Sequence, residues 1–154
     1  MEENKKSWHY TEDGAKVVTK PWGREVWVNY ENGENVGDVE KRYVMKKLYI
    51  KAGTKTSYQY HVKKEETNFL IEGEVEAWME NDEGIIEKEI LKAGTIWSIP
   101  AGKKHRILPL TDIVLMECSS PEVDDVVRME DDTGRGSGRI QDEHIKGNKF
   151  NKSK

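Results

Sequence analysis

Between residues 20 and 128 the chain is a succession of short β-prone runs, each cut off by turn-forming residues, and helical periodicity is nearly absent. The runs fall at 24–30, 43–51, 56–61, 67–71, 74–80, 85–91, 95–99, 105–110 and 113–117. Between them stand Ala52-Gly53, Glu72-Gly73, Asn81-Asp82-Glu83-Gly84, Ala93-Gly94 and Pro100-Ala101-Gly102. In such turns glycine supplies a positive φ and proline a fixed one. Run 74–80 alternates Val75, Ala77 and Met79 with Glu74, Glu76 and Glu80, the pattern of a strand with one wet face. This spacing predicts an all-β chain of hairpins closed into a jelly-roll barrel.

A length of 154 residues suits one domain with one core. The ends read differently from the middle. Residues 1–19 are expected to form an N-terminal arm, with Trp8 and Tyr10 as its anchors, and 20–135 the barrel. Residues 136–154, where Gly136, Gly138 and Gly147 stand among charges, are expected to be a mobile tail with no apolar face to offset the entropy of ordering. Hydrophobic residues are only 35% of the chain, but five Trp and six Tyr give a small core large apolar bodies and argue against disorder. A formal charge of −4 speaks against a nucleic-acid partner. No secretory or membrane-length apolar segment is visible, so no membrane partner is expected and the cytoplasm is the expected compartment. The single cysteine, Cys118, excludes an internal disulfide and is expected to be a buried thiol.

Side chains two apart on a strand share a face, so Ser57, Gln59 and His61 point one way, and Tyr58 and Tyr60 the other. Glu66 follows a turn at 63–65 that can return its carboxylate to the same place, and His105 follows the turn that begins at Pro100. One amide oxygen, two imidazoles and one carboxylate form a mixed N/O set suited to one divalent ion, Zn, Mn, Fe, Co or Ni. Gln59, His61, Glu66 and His105 are therefore the candidate metal ligands.

The longer pattern Gly53-x5-Gln59-x-His61-x4-Glu66-x6-Gly73, with Gly94-x5-Pro100-x-Gly102-x2-His105 after it, resembles the paired motifs of the cupin superfamily, with Gln59 in place of the usual first histidine. Lys20-Pro21-Trp22-Gly23, Ile99-Pro100-Ala101-Gly102-x-x-His105-Arg106, and Asp124-Asp125-Val126-Val127-Arg128 through Gly134-Arg135 narrow the likeness. They resemble the type II mannose-6-phosphate isomerase domain, also the C-terminal part of bifunctional mannose-1-phosphate guanylyltransferases. The resemblance implies a cupin double-stranded β-helix, a divalent metal and aldose–ketose interconversion of a sugar phosphate. It also implies pairing into a homodimer. Where that family runs Gln-x-His-x-His-Arg-x-Glu-His-Trp, this chain has Lys63, Lys64, Thr67 and Asn68 at the second histidine, the arginine and the final pair. A carbohydrate-binding cupin without turnover, or a cupin of another reaction class, is the alternative reading.

Cations flank the candidate ligands. Lys63 and Lys64 follow His61, and Lys103, Lys104 and Arg106 bracket His105, so an anionic ligand such as a phosphorylated sugar would be drawn there despite the net charge. Lys63 and Lys64 are the catalytic candidates; Lys63 has the better claim because it is in phase with Gln59 and His61 on a regular strand. Glu65 is a weaker candidate base. Lys103, Arg106, Arg128 and Arg135 are the candidate substrate-binding residues, although alternation turns Arg106 away from His105.

Overall fold

A computed structural model describes residues 9–31 and 43–144. The strands are β1 (Ala15–Lys20), β2 (Gly23–Glu31), β3 (Val44–Ile50), β4 (Tyr58–Tyr60), β5 (Glu66–Glu72), β6 (Glu74–Glu80), β7 (Ile86–Lys92), β8 (Ile96–Ile99), β9 (His105–Pro109), β10 (Ile113–Ser119) and β11 (Val127–Glu130). They form two antiparallel sheets, one of six strands in the order β1-β2-β3-β10-β5-β8 and one of five in the order β11-β4-β9-β6-β7. Successive strands largely alternate between the sheets, which is the jelly-roll connection expected from the turn spacing.

The alternation that predicts each strand also fills the interior. Val44, Leu48 and Ile50 of β3, Leu70 of β5, Val75 of β6, and Ile113 and Leu115 of β10 are all buried. With Trp22 most of them make one core, against which Ala77, Leu91, Trp97 and Ile107 pack. A second cluster joins Val18, Trp27, Tyr30 and Val44. Two glycines are required by close approaches. A Cβ on Gly73, at φ +90°, would meet the Asp112 carbonyl oxygen at 2.5 Å, and one on Gly23 would overlap the Tyr49 carbonyl oxygen.

The sequence reading and the structure part company at the ends and at Cys118. Residues 15–19, expected within an arm, form with Lys20 the strand β1, which pairs with β2 and buries Val17 and Val18. Tyr10 donates its hydroxyl to the Val28 carbonyl, while Trp8 lies outside the described residues. Part of the expected tail, residues 136–144, packs on the barrel: Glu143 pairs with Lys20 and Arg135, and His144 meets Trp27 edge to face at 5.5 Å. Residues 145–154 lie outside the described residues. Cys118 is exposed rather than buried, because β10 turns Leu115 and Glu117 inward and Cys118 therefore outward. Among the described residues no helix is long and apolar enough to cross a membrane.

Candidate metal centre

Three of the candidate ligands meet in the barrel. Glu66 opens β5 and His105 opens β9, while His61 follows β4 directly. The imidazole Nε2 atoms of His61 and His105 stand 3.4 and 3.3 Å from the same Glu66 carboxylate oxygen, and the two rings are 5.1 Å apart. One donor atom from each residue lies within 4.8 Å of the others, and all three residues are buried. Gln59 is the cross-strand neighbour of His105, so the two share a face, and it lines the same cavity.

The ring orientations fit a metal. His61 Nδ1 lies against the Asp125 carbonyl oxygen and His105 Nδ1 against that of Lys103. A carbonyl only accepts, so each Nδ1 donates its proton outward and each Nε2 is turned inward toward Glu66, where a neutral ring would offer a lone pair to a cation. Both Nε2 atoms are buried without a hydrogen-bond partner. Leaving two such atoms unpaired is costly, and a cation between them and Glu66 would satisfy both. Ser57 donates to the Gln59 amide oxygen, fixing an acceptor that keeps a second lone pair.

Asp125 holds the turn after His61. Its carboxylate accepts the backbone N–H groups of Val62, Lys63 and Lys64. Burial alone would raise its pKa, but these three donors outweigh burial and hold it low. The turn decides between the two lysines. Because β4 ends at Tyr60, strand phase does not carry on to Lys63, which is exposed, whereas Lys64 is buried beside Glu66.

A row of buried charges runs on from the three ligands. Lys64 Nζ stands 4.0 Å from Glu66 and 3.5 Å from Glu117; Lys46 Nζ is 3.9 Å from Glu117 and 3.2 Å from Glu25; and Trp27 donates to Glu25 at 2.9 Å. Burial alone would lower the Lys64 pKa, but Glu117 and Glu66 outweigh it and keep the ammonium charged. Glu117 is pushed up to about 8, by burial first and then by the neighbouring Glu66 charge. Burial alone would raise the Glu66 pKa, but Lys64 together with the polar contacts of Glu117, His105 and His61 outweighs it and holds the carboxyl well below the carboxylate range. Sequence reasoning passed over Glu25, Lys46 and Glu117. The signal was present, because Lys46 sits in phase with Val44 and Leu48, and Glu117 with Ile113 and Leu115.

The cavity, of about 410 Å³, holds this row together with an apolar wall that includes Trp22, Leu48, Leu91 and Trp97. The substrate-binding candidates scatter. Lys103 sends its ammonium to Asn81 and Asp82. Arg106 pairs across the sheet with Trp78 while His105 pairs with Met79, so it leaves the opposite side of β9 and meets Thr56, Glu130 and Asp132. Arg106 nevertheless lines the cavity, as do Arg128 and Arg135. Arg128 donates to the Gly136 and Gly138 carbonyls, leaving a buried Nε without a partner, and Arg135 pairs with Asp131 and Glu143.

With this geometry in hand, the likeness to solved structures settles the architecture. Oxalate decarboxylase from Bacillus subtilis superposes with a TM-score of 0.65 at 14% identity over 78% of this chain and 31% of that one. An arginine-to-alanine mutant of that enzyme gives 0.65 over 78% of this chain and 32% of that one, again at 14% identity. A tryptophan-to-tyrosine variant gives 0.60 at 15% identity, over 72% of this chain and 28% of that one. The fold is the cupin jelly roll. The chain spans under a third of the length of those solved structures. No protein-family model and no curated sequence matches the chain.

Proposed function

We propose that this cupin is a metal-dependent enzyme that interconverts the aldose and ketose forms of a phosphorylated or nucleotide-linked sugar. The observation that carries the metal is the convergence of two imidazole Nε2 atoms, buried without a hydrogen-bond partner, on the Glu66 carboxylate in the barrel cavity. His61, Glu66 and His105 would hold the ion with Gln59 as fourth ligand; a bound divalent ion supplies polarisation of a substrate carbonyl oxygen. The sugar chemistry is supported by the likeness of Lys20-Pro21-Trp22-Gly23 and Pro100-Ala101-Gly102-x-x-His105 to mannose-6-phosphate isomerase domains.

The roles follow from placement. Lys64, charged and buried, stands where it would stabilise an oxyanion developing beside Glu66. Glu117, the nearest carboxyl to that ammonium, is the group placed to take and return a proton. Lys63 points to solvent and is left out of the chemistry. Arg128 keeps a free Nε–H toward an anion, and Arg135 would have to exchange Asp131 or Glu143 for a phosphate.

A second reading, recognition of a sugar without turnover, is favoured by one observation: the position of the family's second histidine is Lys63, which sends nothing into the cavity. The test is incubation of metal-loaded protein in D2O with mannose 6-phosphate or fructose 6-phosphate, read by NMR. Deuterium entering at the carbon next to the carbonyl supports the isomerase. Binding without exchange supports the second reading, and the absence of both contradicts a sugar ligand. Oxalate is the control substrate, given the activity named for the solved relatives.

A further inference from the structure

Two residues along β5 from Glu66, on the same face, stands Asn68. It is 4% exposed, it lines the cavity, and its amide oxygen is buried without a hydrogen-bond partner. Its cross-strand neighbours offer nothing to that oxygen: Glu117 on β10 turns its carboxyl to Lys64 and Lys46, and Trp97 lies on β8. Thr67, by contrast, faces outward and bonds to Ser98. An amide carries one acceptor and two donors, so a buried amide end left unpaired is costly whichever way it is turned. Such a group is retained where something outside the chain completes it.

We infer that Asn68 is a specificity-determining residue that hydrogen-bonds a hydroxyl of the ligand. Two residues of strand put Asn68 roughly 6.6 Å from Glu66 along the chain. A ligand with an oxygen at the three metal-binding side chains therefore presents to Asn68 a hydroxyl several bonds further on, with Trp97 as an apolar wall beside it. The ligand class is a short polyhydroxylated chain, as in an open-chain sugar or polyol. This rests on the proposed function for the sugar, but not for the unpaired amide.

The test combines stability and binding in Asn68→Leu and Asn68→Ala. For the ligand-free protein, Asn68→Leu removes the unpaired amide at similar volume and is expected to raise Tm by about 2–6 °C. A fall in Tm would show that the amide is already bonded within the barrel and would overturn the inference. For binding, the metal-loaded wild type and both variants are titrated with mannose 6-phosphate and with mannitol. Whichever probe binds the wild type is expected to bind both variants about tenfold more weakly, with metal affinity unchanged. Equal binding, or parallel loss of metal, overturns it. If neither probe binds the wild type, the sugar reading has failed, and the Tm comparison decides on Asn68 by itself.

Discussion

At the residue scale the chemistry depends on a few buried polar atoms. Glu66 faces two lone pairs and one ammonium, so removing its charge leaves all three exposed to each other. Glu66→Gln is expected to cost at least tenfold in metal affinity, measured by competition with a chromogenic chelator. Acidification acts elsewhere, through His144. Burial, with Lys16 and other cations nearby, pulls its pKa down to about 3 from an ordinary 6.5. Below pH 6.5 the unfolded chain takes up a proton that the folded chain refuses, so stability is full above that pH and is lost as pH falls toward 3. The slope approaches about 1.4 kcal/mol per pH unit at most. His144→Phe is therefore expected to flatten the fall of Tm between pH 6.5 and pH 4 relative to wild type.

At the scale of elements, turns and strand phase set the site. Asp125 joins the segment before β11 to the turn after β4, through three backbone N–H groups and the carbonyl that orients His61. Asp125→Ala is expected to destabilise by about 1–3 kcal/mol in urea unfolding and to weaken metal binding without touching a ligand. Gly73→Ala, where a Cβ meets a backbone oxygen, is expected to cost a similar amount. Strand phase made much of this legible in the sequence: β6 has the bounds that alternation predicts, and His61, Glu66 and His105, expected together from alternation and spacing, lie together in the structure. What it missed has physical reasons. β1 carries Lys16 and Lys20 around two valines, so its period was hidden, though Lys16 is buried over the Trp27 ring. Lys63 was misplaced because a turn, not a strand, follows Tyr60. The contacts of His144 join distant parts of the chain, which no local pattern records.

Over the whole molecule, a polar interior is set inside an apolar barrel, and the two depend on each other. Leu70 and Val75, fully buried, hold the sheets together around the charged row. Leu70→Ala is expected to cost about 2–5 kcal/mol. The charged row is stable as paired charges, whereas loss of one partner leaves an uncompensated buried charge. An ion bound only by the folded chain would add stability by mass action, so Tm is expected to rise with metal concentration and to fall with a chelator. The central claim is that one divalent ion is held by His61, Glu66 and His105. Its most direct measurement is elemental analysis of the purified protein beside its His61→Ala and His105→Ala variants, each shown to be folded by circular dichroism. The account predicts about one equivalent of a transition metal or zinc in the wild type and a loss of at least tenfold in both variants. Metal-free wild type that takes up no divalent ion on titration, or variants that keep a full equivalent, would contradict it.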